Sequence, residues 1–245
     1  MSQPLVIITH TLPNGWITSL ANRVKIIQGP EDATTLDPAL EQFLPEADGI
    51  LCLLTIPIRQ DLLDRMARLR VVSNMAVGFD NIDVTQCTAR GIPVGNTPGV
   101  LTEPTADLTM ALLLSAARRL PQAASDASQG RWHTWRPAGW LGSDLFGSKI
   151  GIIGMGKIGK AVAERARGFG LKILYTDKNK RLDIEESLDA VHLPLARVIS
   201  ESDFISLHVP LTSETKKMIN TATLRMMKPN AILVNAARGQ IIEVV

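Results

Sequence analysis

The chain has 245 residues, of which 45% are hydrophobic and 20% charged, with 26 basic against 24 acidic side chains. That is enough for one large or two small domains with ample core, and a net charge of +2 with interspersed signs gives no electrostatic case for nucleic acid or an anionic membrane. The two cysteines, Cys52 and Cys87, exclude a disulfide framework and a metal site of Cys/His spacing; the apolar runs Leu5–Ile8 and Met110–Ala117 are too short for a signal peptide or a bilayer span, so the cytoplasm is the expected compartment.

In chain order, Leu5–Thr9 reads as a first strand and Val24–Ile27 as a second, while Thr35–Phe43 has helical spacing. Ala47-Asp48-Gly49 turns into a fully apolar strand, Ile50–Leu54, in which Cys52 is expected as a core residue. Asp61–Leu69 is an amphipathic helix, Val71–Ser73 opens a buried strand, and Gly78–Asn81 is a loop. Asp83 is placed to cap a short helix over 83–90, before a last strand at Ile92–Val94. Strands and helices alternating at this spacing predict a doubly wound parallel sheet with right-handed crossovers.

Thr97-Pro98-Gly99 marks a boundary, giving domains 1–100 and 101–245. A long helix starts near Glu103 with Pro104 in its first turn and runs to a stop at Pro121; apolar nearly all round, it is expected to be buried, between subunits of a homodimer. Residues 130–147, with Trp132, Trp135 and Trp140, form an irregular arm suited to an interface or hinge.

The stretch from Lys149 to Asp177 organises the second half. An apolar strand runs into Gly154-Met155-Gly156-Lys157-Ile158-Gly159, an amphipathic helix follows, Gly168 and Gly170 close it, and Leu171–Tyr175 is a second strand. Gly154 permits the tight turn, Gly156 lets backbone approach a diphosphate, and Gly159 lets helix pack on strand. The diphosphate would sit on unpaired N–H groups at the positive end of the helix dipole. Asp177, 18 residues beyond Gly159, stands where a carboxylate takes both hydroxyls of the adenosine ribose. A strand–turn–helix–strand frame ending in an acid makes this a dinucleotide site. Lys178-Asn179-Lys180-Arg181 beyond it reads as a solvated loop. Further strands are expected at 203–210 and 231–237, with a helix inside 212–226.

Val77–Asp83, Asn96-Thr97-Pro98, Leu101–Asp107, Gly151–Gly159, His208–Thr212 and Asn235–Gly239 together resemble the D-isomer-specific 2-hydroxyacid dehydrogenases, over nearly the whole chain and in the right order. Trp140–Asp144 and Ala166–Gly170 are most similar to the glyoxylate/hydroxypyruvate reductase branch. The resemblance implies an α/β fold of two doubly wound parallel-sheet domains, a flavodoxin-like substrate domain and a Rossmann NAD(P)-binding domain. It also implies reversible reduction of a small 2-oxo acid, glyoxylate or hydroxypyruvate, by a reduced nicotinamide cofactor. By the same resemblance the backbone of Val77 and Gly78 holds the substrate carboxylate, Leu54 and Met75 line the pocket, and Arg238 grips carboxylate and carbonyl oxygen. Thr105, Met155, Lys157, Ile158, Lys178, Val209, Pro210, Ala236 and Ala237 fall on cofactor-contacting positions.

A 2′-phosphate beside Asp177 would meet like-charge repulsion, which favours NAD(H) over NADP(H), with Lys178 and Lys180 as partial offsets. The family's proton donor is a histidine paired with a glutamate, both downstream of the arginine motif. The sequence runs seven residues past Arg238, and none of His10, His133, His192 or His208 matches that position. The expectation is therefore a Rossmann domain incomplete at its C-terminus. The alternative reading is an NAD-binding or redox-sensing interaction protein derived from the family.

Overall fold

The computed structural model describes residues 3–243. Its chain divides into two units, Met1–Val100 and Leu101–Val245. In the first, β1 (Leu5–Ile8), α1 (Asn14–Ala21), β2 (Lys25–Gln28), α2 (Pro38–Glu41), β3 (Gly49–Cys52), α3 (Gln60–Asp64), β4 (Val71–Asn74), α4 (Val84–Ala89) and β5 (Val94–Gly95) follow one another. The strands form a wholly parallel sheet in the order β2-β1-β3-β4-β5, the flavodoxin-like winding. Ile7, Ile50, Cys52 and Val72 from three adjacent strands pack with Leu40, Leu44, Leu62, Leu63 and Cys87 into one core. Burial pushes the Cys52 thiol up to about 11, so it stays a protonated, inert core group near neutral pH. Asp83 caps α4 as expected, its carboxylate accepting from Gln86 N at 3.0 Å.

The second unit runs α5 (Thr102–Ala117), α6 (Leu120–Ser128), β6 (Lys149–Ile153), α7 (Lys157–Gly168), β7 (Lys172–Thr176), α8 (Leu182–Leu188), β8 (Val191–His192), α9 (Leu195–Glu201), β9 (Phe204–Leu207), α10 (Thr221–Met226) and β10 (Ile232–Asn235). Its parallel sheet has the order β10-β9-β6-β7-β8, with the winding reversing between β6 and β9. Side chains alternate across the sheet, as a strand period of two requires. Ile150, Ile152, Tyr175 and Phe204 meet α5 and α7 on one face, whereas Ile153, Leu174, Ile205 and Leu207 meet Val198 and Ile199 of α9 on the other. Arg165 of α7 ties that helix to α5 by pairing with Glu103 (2.8 Å) and Asp107 (2.7 Å).

Several elements depart from the sequence expectations. The helix expected over 61–69 is confined to Gln60–Asp64, and the spacing over 35–43 yields only the short α2, capped by Asp37, before a 3-10 turn at Leu44–Glu46. The long helix ends at Ala117 with Arg118 as its C-cap, and Pro121 does not stop it. Arg119 takes a left-handed conformation (φ 53°), and Pro121 sits in the first turn of α6, where its missing N–H costs nothing. Nor is α5 buried all round within its unit: Ala106, Met110, Leu113 and Ala117 are covered, but Leu108 and Leu112 are 54% and 43% exposed. No helix among the described residues is long and apolar enough to cross a membrane.

Candidate functional site

In an open α/β sheet, ligands bind beyond the carboxyl ends of the strands where the winding reverses. Here that crevice opens between β6 and β9. The turn after β6 passes through Gly154 at φ +98°, a conformation closed to ordinary L side chains. A Cβ there would also lie 2.7 Å from the carbonyl carbon of His208, so the turn lies directly on the His208–Val209 backbone. A Cβ on Gly159 would stand 2.1 Å from the Gly154 carbonyl oxygen, which is how closely α7 packs on the turn. Gly156 differs: nothing lies within 4 Å of where its Cβ would be.

Gly156 is also the N-cap of α7, and no side chain caps the helix. The first-turn amides of α7 are thus left to an incoming anion at the positive end of the dipole. Across the turn, at the end of β7, Asp177 Oδ2 accepts from Met155 N at 2.6 Å and Oδ1 from Asn179 N at 3.3 Å. An open cradle that any Cβ would fill, uncapped amides and a carboxylate at the next strand end fit a dinucleotide. Gly154, Met155, Gly156, Lys157, Ile158, Gly159, Asp177 and Val209-Pro210 are brought to one place.

Ala236, Ala237 and Arg238 follow β10, whose neighbour β9 carries His208-Val209 at the same end of the sheet. The Asn235 side chain braces this turn, accepting from Ala237 N (3.0 Å) and donating to the Arg238 carbonyl (2.8 Å). Thr105 lies in the first turns of α5, the helix packed on α7 and β10. Lys178 stands apart: it is exposed and paired with Glu214 at 2.6 Å.

Burial holds His208 down to about 4, and its Nε2 lies 2.7 Å from Ser206 Oγ. It is neutral at neutral pH, so it does not present the imidazolium that a general acid here would need. Because the folded value lies below the unfolded 6.5, the unfolded chain binds the extra proton, and stability drains away as pH falls from about 6.5 towards 4. On this basis H208Q should flatten that part of the stability profile by on the order of 2 kcal/mol. Denaturant unfolding of both proteins across the window checks it, and identical profiles would refute it.

In the first unit, Leu54 follows β3, and Met75, Val77 and Gly78 follow β4. The two strand ends are joined where Met75 N donates to the Cys52 carbonyl at 2.9 Å. Leu54 and Met75 are exposed at this end, 38% and 36%. Beneath them is a buried amide pair that sequence reasoning passed over. Asn81 Nδ2 donates to the carbonyls of Leu53 (3.2 Å) and Ile56 (3.1 Å), and Asn74 Nδ2 donates to the Gly78 carbonyl (2.6 Å). The Asn74 and Asn81 carboxamides also meet each other at 3.3 Å. Each is almost fully buried, so every loop carbonyl they satisfy would otherwise lose a hydrogen bond in a dry setting. They hold the shape of both loops. Asn81 stood in the motif already quoted, but its reach to Leu53 and Ile56 is a long-range fact that no local pattern encodes.

The comparisons agree with this geometry. Residues 110–244 match the family model for the D-isomer specific 2-hydroxyacid dehydrogenase NAD binding domain. Glyoxylate reductase of Korarchaeum cryptofilum is 43% identical, with 98% of this chain and 73% of the relative covered, and that of Thermococcus gammatolerans is 44% identical with the same coverage. Among solved structures, a Thermus thermophilus protein superposes with a TM-score of 0.89 at 38% identity, covering 98% of this chain and 75% of that one. D-lactate dehydrogenase from Aquifex aeolicus, solved with NAD and lactic acid, gives a TM-score of 0.87 at 30% identity, covering 98% and 70%. With two sheets of the right winding and a glycine turn at the reversal point, the chain belongs to the D-isomer specific 2-hydroxyacid dehydrogenase family of enzymes.

Proposed function

We propose that the protein reduces a small 2-oxo acid, glyoxylate or hydroxypyruvate, to the D-2-hydroxy acid, and that it uses NADH in preference to NADPH. When bound, the reduced nicotinamide supplies the hydride. On this reading Leu101–Val245 carries the cofactor and Met1–Val100 the substrate-binding loops. The amides of Val77 and Gly78 take the substrate carboxylate, Leu54 and Met75 give an apolar wall that suits a short acid, and Arg238 offers a planar cationic fork to carboxylate and carbonyl oxygen. Thr105, Val209, Pro210, Ala236 and Ala237 meet the cofactor beyond the diphosphate. The names of the glyoxylate reductase relatives support the substrate class.

The observation that carries the cofactor preference is the Asp177 carboxylate bonded to Met155 N beside the uncapped helix. The neighbouring cations do little to offset its charge, because Lys178 pairs with Glu214 and Lys180 with Glu185 (3.0 Å). Repulsion of a 2′-phosphate by about 1–3 kcal/mol corresponds to roughly 5- to 150-fold weaker NADPH binding. Fluorescence titration with both cofactors tests this, and D177A should weaken NADH by about tenfold or more. Equal affinity for the two cofactors, or an unaltered D177A, would remove the proposal. Glyoxylate-dependent loss of NADH absorbance tests the reaction itself; tight NADH binding without turnover would favour the binding-protein reading.

A homodimer is the companion proposal. It would form through the exposed Leu108 and Leu112 of α5 and the arm at 130–147, where Trp135 is 76% exposed. Sedimentation should give twice the chain mass, and a monomer at micromolar concentration would exclude it.

A further inference from the structure

The basic run Lys178–Arg181 reads as a solvated loop in sequence, yet Arg181 is held from every side. Its backbone N–H donates to the Tyr175 hydroxyl at 2.8 Å, and that hydroxyl, on a fully buried ring, in turn donates to Glu185 at 3.1 Å. Its guanidinium is gripped by Asp183, with Nε to Oδ1 at 3.0 Å and Nη2 to Oδ2 at 2.9 Å. This two-point grip fixes the plane of the fork and leaves Nη1, which donates to the Met155 carbonyl at 2.8 Å.

Met155 is therefore clamped through both of its peptide groups, its N–H by Asp177 and its C=O by Arg181. A trans peptide points C=O and the following N–H in opposite directions. Holding the Met155 carbonyl on the β7–α8 side consequently turns the Gly156 N–H away from it. The preceding peptide obeys the same rule. With Met155 N–H on Asp177, the Gly154 carbonyl points to α7, where it meets Gly159.

We propose that Arg181 is a positioning residue for cofactor binding: by holding the Met155 carbonyl it aims the Gly156 amide at the diphosphate and keeps a carbonyl oxygen from facing that anion. The inference rests on the reading of residues 154–159 as the diphosphate turn. It assigns Arg181 no contact with cofactor. The role requires equal weakening of NADH and NADPH when the guanidinium is lost, since both share the diphosphate, whereas a direct contact to a 2′-phosphate would weaken NADPH alone.

The test is titration of the wild-type chain, R181M and G156V with NADH and with NADPH, together with the amide resonance of Gly156 in nitrogen-15-labelled protein. R181M is expected to lose about tenfold in affinity for both cofactors and to move the Gly156 resonance in the absence of cofactor. NADH affinity equal to wild type, or a loss confined to NADPH, would overturn the proposal. If R181M does not fold, R181K carries the same test, because an ammonium cannot serve Asp183 at two points and Met155 together. Failure of the underlying reading looks different: G156V would then bind NADH as tightly as wild type, whatever Arg181 does.

Discussion

Replacing Gly156 by valine should abolish most cofactor affinity while leaving the fold intact, with NADH binding weaker by on the order of 10², or about 2.7 kcal/mol. The site at Gly156 has no atom within 4 Å to clash with a side chain and no positive φ to forbid one, so the added methyls enter only the space proposed for the diphosphate. Gly159→Ala should behave in the opposite order. Its Cβ would be driven to 2.1 Å from a backbone oxygen, so helix and turn must separate, at an expected cost of about 1–3 kcal/mol in stability even without ligand. Thermal midpoints with paired NADH titrations distinguish the two variants. A destabilised G156V with normal affinity would show that the cradle is structural and not a ligand site.

The second large effect is expected in the other unit. Asn81→Leu strips the buried Ile56 carbonyl of its side-chain donor and removes one hydrogen bond each from the Leu53 carbonyl, which keeps Ile56 N at 3.2 Å, and from the Asn74 carboxamide, which keeps the Gly78 carbonyl at 2.6 Å. At about 1–3 kcal/mol for the buried carbonyl, with the bonds removed from Leu53 and Asn74 added, about 3 kcal/mol of stability should be lost. Urea unfolding measures it directly. Because these amides brace the loops that carry Leu54, Met75, Val77 and Gly78, affinity for a 2-oxo acid analogue such as oxamate should fall while NADH affinity is retained. An unfolding midpoint equal to that of the wild type would end this account of the clamp.

What was legible in sequence is what is decided locally. The turn at 154–159 is dictated by residues within one β-turn-helix unit, and α7 by an apolar stripe ending in basic residues. The cap at Asp83 depends on a carboxylate and an amide three residues apart. The misses have equally physical causes. Helix α1 begins after Pro13 with no side-chain cap and contains Gly15, so its pattern is faint; β8 is two residues long, and its alternation has no room to show. Pro121 reads as a stop in sequence because proline cannot continue a helix. The αL residue before it lets a new helix begin there instead. The Asn74–Asn81 clamp and the grip of Arg181 on Met155 join residues 7 and 26 positions apart through geometry that only the folded sheet creates.

The central place of β6 has a consequence for the order in which the second unit assembles. Its partner β7 lies 23 residues on (Ile150 opposite Ile173), but β9 lies 54 residues on (Ile150 opposite Phe204). Closing the longer loop costs roughly 0.8 kcal/mol more chain entropy before any contact rewards it. The β6–α7–β7 segment should therefore nucleate first, and the wall formed by His208 and Val209 should zip on afterwards. Mutations along β6 and β7 would then slow refolding, while those in β9 would chiefly hasten unfolding.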